Sequence, residues 1–259
     1  MINGIINVYK EKGYTSHDVV AKMRGILKIK KIGHTGTLDP DAEGVLPVCI
    51  GKATKLVDLI TDKDKTYEAV LKLGITTDTQ DITGQILSRR EVTVTKGEIE
   101  DAINSFIGEY MQLPPMYSAI KVNGKKLYEL ARQGIEVERK RRKVSIYDIR
   151  ILKIDEEESE ITVSVDCGKG TYIRTLLYDI GEKLGCGGTM KSLLRTAVGN
   201  FKLENAYKLS EIEELVQKDQ IDTALVPIDE VLSGYSKIFV AEEYSKLIYN
   251  GNPFQIKRV

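Results

Sequence analysis

The sequence predicts an α+β fold built on a mixed or antiparallel sheet. Three observations lead there. Segments with strand character outnumber segments with helical periodicity. The two kinds do not follow one another in βαβ order, which argues against a wholly parallel sheet. A chain of 259 residues, 42% hydrophobic and 29% charged, is long enough to bury a core as one large domain or two smaller ones.

From the N-terminus, Gly4 to Tyr9 is short and apolar and reads as a strand. Ser16 suits the N-cap of a helix carrying Val19, Val20, Met23 and Leu27 on one face. Residues 45–50 are apolar and partly β-branched, as a buried strand requires, and a second helix covers 55–60. Tyr67, Ala69, Leu71 and Leu73 share one face of a strand over 66–75, with 84–88 pairing nearby. Thr95 and Glu98 form a capping box before Ile99, Ala102, Ile103 and Phe106. The prolines in 113–118 break regular structure, and a short helix, basic on one side, follows over 125–132. Two strands come next, 144–154 and 161–167; in the second, Ile161, Val163, Val165 and Cys167 alternate cleanly. A helix over 172–184 turns Ile173, Leu176, Leu177, Ile180 and Leu184 inward and stops at Gly185. Ser210 and Glu213 make a second capping box, for a helix through Val216. No internal repeat or low-complexity segment is evident.

Composition narrows the function classes. No apolar stretch reaches the roughly 18 residues of a membrane span, and no secretory leader is visible. Cys49, Cys167 and Cys186 are far apart and odd in number, so they suit a reducing cytoplasm as buried hydrophobes rather than a disulfide frame or zinc site. Net charge is zero, with 38 basic and 38 acidic residues. That leaves RNA binding open, because local clustering decides it. The basic run 139–143 reads either as a solvated charge run or as a phosphate-contacting patch, and the acidic stretch 155–158 as a loop.

Chemistry concentrates in residues 33–48. Asp39 lies between Leu38 and Pro40, with Gly33, Gly36, Gly44 and His34 close by. Glycines allow tight turns and close backbone approach, and Pro40 pushes Asp39 towards extended geometry. The segment therefore reads as a stiff loop holding one carboxylate. By residue type alone, an Asp capping a turn is the commoner reading. A second signal lies at 167–176, where a strand ends at two glycines and Arg174 enters the first turn of a helix. Such an Arg is either an ordinary surface residue or a guanidinium placed to pair with a carboxylate, lowering its pKa and keeping it oriented. Tyr67, at a strand start, is most simply packing; as a general base it would need help, since tyrosine ordinarily ionises near pH ~10.

Taken together, these segments resemble the TruB family of pseudouridine synthases. The resemblance spans roughly residues 4–230 and rests on motifs in family order: His34-Thr35-Gly36-Thr37-Leu38-Asp39-Pro40, Asp64 to Glu68, Met116 to Lys143, and Lys169 to Arg174, with Gly185-Cys186-Gly187 through Leu193, Leu194 and Arg195 also matching. It implies a large curved sheet with flanking helices and a central RNA-binding cleft. It also implies isomerisation of uridine 55 in the TΨC arm of transfer RNA, with no obligate protein partner and no membrane. Asp39 falls on the indispensable carboxylate, Arg174 on its partner, and Tyr67 on a tyrosine stacked on the uracil and placed to take the C5 proton. His34, Tyr172 and Leu193 fall on substrate-contacting positions. Residues 116–143 match an insertion that folds over the RNA loop.

The resemblance divides the chain into a catalytic domain, 1–232, and a partial RNA-binding PUA-like segment, 233–259, in which 238–251 reads as a first strand and helix. Where the family has Asp-Lys-Pro-x-Gly, this chain has Tyr9-Lys10-Glu11-Lys12-Gly13, which leaves that loop less rigid. The implied reaction flips the uridine out of its loop. Asp39 then attacks C1′ or deprotonates C2′, and the uracil rejoins through C5. Atoms are only rearranged, so neither cofactor nor metal is required. Two rivals stand. A non-catalytic tRNA-binding or folding protein would have no chemical reason to keep Asp39, Tyr67 and Arg174 together. A metal-dependent RNA hydrolase would want carboxylates clustered at Asp39, where only Asp41 and Glu43 qualify.

Overall fold

A computed structural model describes residues 2–122, 124–236 and 238–253. Its strands are β1 (Gly4–Lys10), β2 (Ile32–His34), β3 (Glu43–Ile50), β4 (Lys65–Leu73), β5 (Ile75–Thr77), β6 (Ile86–Arg89), β7 (Gly108–Gln112), β8 (Lys121–Val122), β9 (Lys125–Lys126), β10 (Arg142–Asp155), β11 (Glu160–Cys167), β12 (Gly188–Val198), β13 (Phe201–Lys202) and β14 (Leu225–Val226). The helices are α1 (Ser16–Leu27), α2 (Val57–Thr61), α3 (Lys96–Asn104), α4 (Leu127–Ala131), α5 (Ile173–Lys183), α6 (Leu209–Gln217), α7 (Ile228–Val231) and α8 (Ser245–Tyr249).

One ten-stranded sheet runs β14-β1-β3-β12-β4-β11-β10-β7, with β2 added to β3 and β13 to β12. Its ladders are antiparallel except β3–β12, which is parallel and sets Leu194 beside Glu43 and Arg195 beside Gly44. The sheet is therefore mixed, within an α+β fold. That single parallel pairing places the strand leaving the Asp39 loop next to β12, and β12 lies against β4, which carries Tyr67.

Alternation and burial agree where the pattern is strongest. Tyr67, Ala69, Leu71 and Leu73 of β4 and Ile161, Val163, Val165 and Cys167 of β11 are buried in one cluster with Ile173, Leu176, Leu177 and Ile180 of α5. Each such aliphatic side chain contributes roughly 1.5–3 kcal/mol when fully buried. On another part of the sheet, Val19, Val20, Met23 and Leu27 of α1 pack with Ile212 of α6. The three cysteines are free and buried.

Several local expectations need correction. Thr15, not Ser16, caps α1: it is extended (φ −76°, ψ 159°) and shares a reciprocal capping box with Asp18. Ser16 turns inward instead, and its Oγ accepts from the Leu38 N–H at 2.9 Å. At α6 the Lys208 N–H donates to Glu211 Oε2 at 2.7 Å, two residues earlier than the expected Ser210–Glu213 box, so that Leu209 and Ile212 reach the core. A left-handed Gly74 (φ 83°) splits the strand expected over 66–75 into β4 and β5. The helix expected over 55–60 is a 3₁₀ turn, Gly51–Leu56, running into α2. The helix expected over 125–132 starts two residues late, after the extended β9.

Two strands of the sheet, β7 and β12, carry no clear alternation in sequence. In β12 the register slips at Met190/Ser192 and again at Arg195/Ala197, and each bulge breaks the period of two. Of the strand and helix expected over 238–251, the described residues form α8 and no strand; Phe239 is 94% exposed, and an unpaired strand has nothing to hold it. Lys237 and 254–259 of that segment, Asn123 of the insertion, and Met1 lie outside the described residues. No helix among the described residues is long and apolar enough to cross a membrane.

Candidate active site

The Asp39 loop is pinned from three sides. Thr35 donates through both N–H and Oγ1 to the Pro47 carbonyl, at 3.2 and 3.0 Å. The Leu38 N–H is held by Ser16 at the start of α1, and the Gly13 N–H donates to the Pro40 carbonyl at 2.9 Å. Lys10, fully buried at the end of β1, donates Nζ to the carbonyls of Ala42 (2.6 Å) and Pro40 (3.1 Å). Leu38 plugs into the apolar cluster that includes Tyr67 and Leu193. Gly44 (φ 106°) lets the loop return onto β12: a Cβ there would lie 2.2 Å from the Arg195 carbonyl oxygen. What remains free is the Asp39 carboxylate, 39% exposed.

Arg174 meets it. The guanidinium donates Nε to Oδ2 at 2.9 Å and Nη2 to Oδ1 at 3.3 Å, a two-pronged grip on the carboxylate. Its other donors reach the carbonyls of Thr79 (3.0 Å) and Tyr117 (2.9 Å), and Asp81 Oδ2 stands 3.7 Å away. One side chain, 6% exposed, thus ties together the Asp39 loop, the β5–β6 connection and the base of the 116–143 insertion.

The electrostatics differ from the expectation of a lowered pKa. Burial pushes the Asp39 carboxyl above its ordinary value; Arg174 opposes this, Asp81 adds to it, and Lys10 opposes it. The Arg pair lowers the pKa as anticipated, but desolvation outweighs it. Burial also pulls Lys10 down to about 8, with Asp39 the foremost influence holding it up.

The other sequence-derived residues lie on β2, β4, β12 and at the start of α5. Tyr67 is buried on β4, and its hydroxyl is pushed up chiefly by burial, with Arg195 opposing and Asp39 adding to the rise. Leu193, on β12, packs in the same apolar cluster as Tyr67. Tyr172 caps α5; its N–H donates to Gln112 Oε1 at 2.8 Å and its carbonyl accepts from Gln112 Nε2 at 2.9 Å. Gln112, 1% exposed, therefore fixes the turn that aims Arg174. His34 ends β2, bonds the Gly36 carbonyl at 3.2 Å and packs edge-on against His17 at 5.1 Å. Burial lowers its pKa, followed by His17. Among the described residues, no hydrogen bond or ion pair joins His34 to Asp39.

The basic run is partly committed within the fold. Arg139 donates to the Pro114 carbonyl (3.1 Å), Arg141 to that of Met111 (2.9 Å), and Lys143 pairs with Glu109 at 2.6 Å. Lys126 and Arg132 both lie over the Tyr128 ring, at 5.4 and 5.5 Å. Sequence reasoning did not name Asp81 or Gln112, and it met Lys10 and Arg195 only as members of matching segments, without a role for either. Each is an ordinary polar residue in its local pattern, and only remote contacts reveal it. Among the described residues no group of three or more His, Cys, Asp or Glu could hold a metal ion.

A carboxylate clamped on both oxygens, half-desolvated and flanked by a buried tyrosine and apolar side chains, is equipped to act as nucleophile or base towards a bound ring. Residues 24–173 match the TruB family pseudouridylate synthase N-terminal domain, and 174–233 match the tRNA pseudouridylate synthase B C-terminal domain. Two relatives are named tRNA pseudouridine synthase B. That of Alkaliphilus oremlandii is 55% identical over 251 residues, covering 97% of this chain and 82% of the relative. That of Lachnoclostridium phytofermentans is 60% identical over 257 residues, covering 97% and 84%. A chain in the crystal structure of a Cbf5-Nop10-Gar1 complex superposes with a TM-score of 0.76 at 30% identity, covering 96% of this chain and 67% of that one. With a family match running through both Asp39 and Arg174 and relatives this similar over nearly the whole chain, this protein belongs to the TruB family of pseudouridylate synthases, which are isomerases.

Proposed function

We propose that this protein converts one uridine of transfer RNA to pseudouridine, at position 55 in the TΨC arm, through Asp39. The observation that carries the reading is the two-pronged Arg174–Asp39 pair, which holds one carboxylate in a fixed pose at a partly desolvated site. The target base flips out of the folded loop, because its glycosidic bond is otherwise out of reach. Asp39 acts on the ribose, the N1–C1′ bond breaks, and the uracil turns to rejoin through C5, losing its C5 proton while N1 gains one. Tyr67 and Leu193 contact the base, Tyr172 lies against it, and His34 contacts the RNA loop. The aromatic and basic residues of 116–143 fold over that loop. The three free buried cysteines suit work in a reducing cytoplasm.

The test is release of tritium from C5-labelled uridine in a TΨC stem-loop. Intact protein should release it, whereas Asp39→Asn should release none yet bind the RNA. No release by the intact protein would leave a non-catalytic tRNA-binding or folding protein as the reading.

A further inference from the structure

Arg195 is a charged side chain that the reading above leaves without a task. It is 1% exposed and among the largest fully buried side chains. Its Nε donates to the Val45 carbonyl at 2.7 Å. Its Nη2 is buried and, among the described residues, has no hydrogen-bond partner. Nor, among them, does any carboxylate come within ion-pair distance of it, although Arg174 has two nearby. A guanidinium taken out of water without a counter-charge costs several kcal/mol, on the order of what a buried ion pair must repay. One bond to a backbone carbonyl does not call for a permanent cation.

Its position says what the charge serves. Arg195 stands directly opposite Tyr67 across the β12–β4 ladder, so the two side chains share a face. The register slip between Arg195 and Ala197 follows at once, and bulges re-aim the side chains beside them. On the other side, a Cβ at Gly36 would come within 3.7 Å of Nη1, so the loop leading to Asp39 covers the guanidinium. Arg195 is thus enclosed between the Tyr67 side chain and the catalytic loop, with an unused donor.

Building on the isomerase reading, we propose that Arg195 is a positioning residue for Tyr67, holding its hydroxyl and sustaining negative charge on its oxygen while the C5 proton is taken. The hydroxyl first loses its proton to water in the cleft. The phenolate then accepts the C5 proton, the C5–H electron pair returns to the uracil ring, and Tyr67 is again neutral. Arg195 keeps its own proton throughout. Burial is the foremost influence against the phenolate, with Cys167 and Asp39 adding to it, and Arg195 is the foremost influence working the other way.

A double-mutant cycle on the full chain tests this, with pseudouridine formation on a tRNA transcript as the readout. Arg195→Met should lower kcat by about 10²-fold with KM within about threefold, and Arg195→Lys should recover at least about tenfold of that loss. In a Tyr67→Phe background, Arg195→Met should cost no further rate, because the group it acts through is gone. Additive losses, or a raised KM with kcat kept, would overturn the assignment. Should Arg195→Met fail to melt cooperatively, Arg195→Lys carries the same cycle with the same two outcomes. An inactive wild type overturns the isomerase reading itself; an active wild type with additive losses overturns only the role of Arg195.

Discussion

Arg174 holds both carboxylate oxygens of Asp39, at 2.9 and 3.3 Å, across 135 residues of sequence, while its remaining donors hold the Thr79 and Tyr117 carbonyls. The geometry depends on the planar fork of arginine. Arg174→Lys keeps the charge and loses the fork, so the single-turnover rate should fall by about 10²-fold with RNA affinity little changed. Arg174→Gln should in addition lower the melting temperature, by the equivalent of about 1–3 kcal/mol, because buried carbonyls lose their donor. Rapid-quench kinetics and thermal melts check both; a Lys variant at full rate would show that orientation by the fork is dispensable.

On the proposed role of Asp39, its raised pKa should set the acid side of the rate profile. Only the ionised carboxylate serves as nucleophile or base, so the rate should fall as pH drops through a value above the ordinary 3.8. Asp81 contributes to that rise, so Asp81→Asn should move the acid limb to lower pH. In stability the sign is opposite. A carboxyl whose folded pKa is raised binds its proton more tightly in the folded state, so its contribution grows as pH falls through that window. Profiles of single-turnover rate between pH 4 and 8 check the first point; an acid limb unmoved in Asp81→Asn counts against the repulsion.

Lys10 makes a prediction about stability. Its pKa falls from 10.5 in the free side chain to about 8 in the fold. Between those values the unfolded chain binds the extra proton, so stability from this residue rises with pH from about 8 to 10.5 and is flat below. Lys10→Met lacks that dependence. Relative to it, wild type should gain about 2 kcal/mol across the window. Urea titrations of both proteins at pH 7.5 and 10 measure the difference, and the shared tyrosine ionisations cancel in the comparison.

Much of the fold was legible because its signals are local. The alternation of β4 and β11, the Thr95–Glu98 capping box and the apolar stripe of α5 each lie within about ten residues, and short-range sterics and burial decide them. The loop around Asp39 was legible for the same reason: glycines and Pro40 restrict it whatever surrounds it. Local signals misled where two neighbours could serve equally. Thr15 and Ser16 both make good caps, and the need of the Leu38 N–H for an acceptor decided between them.

By itself, then, the sequence determined an α+β chain with a stiff carboxylate loop and an arginine at a helix start, since each is a matter of backbone preference over a few residues. Tertiary structure alone decided that β3 runs parallel to β12, that Arg174 reaches Asp39 rather than solvent, and that Tyr67 faces the buried Arg195. It also decided the direction of the Asp39 pKa, raised rather than lowered. Desolvation sums over everything packed around a group, and the neighbours that supply it come from remote segments that no window of sequence contains.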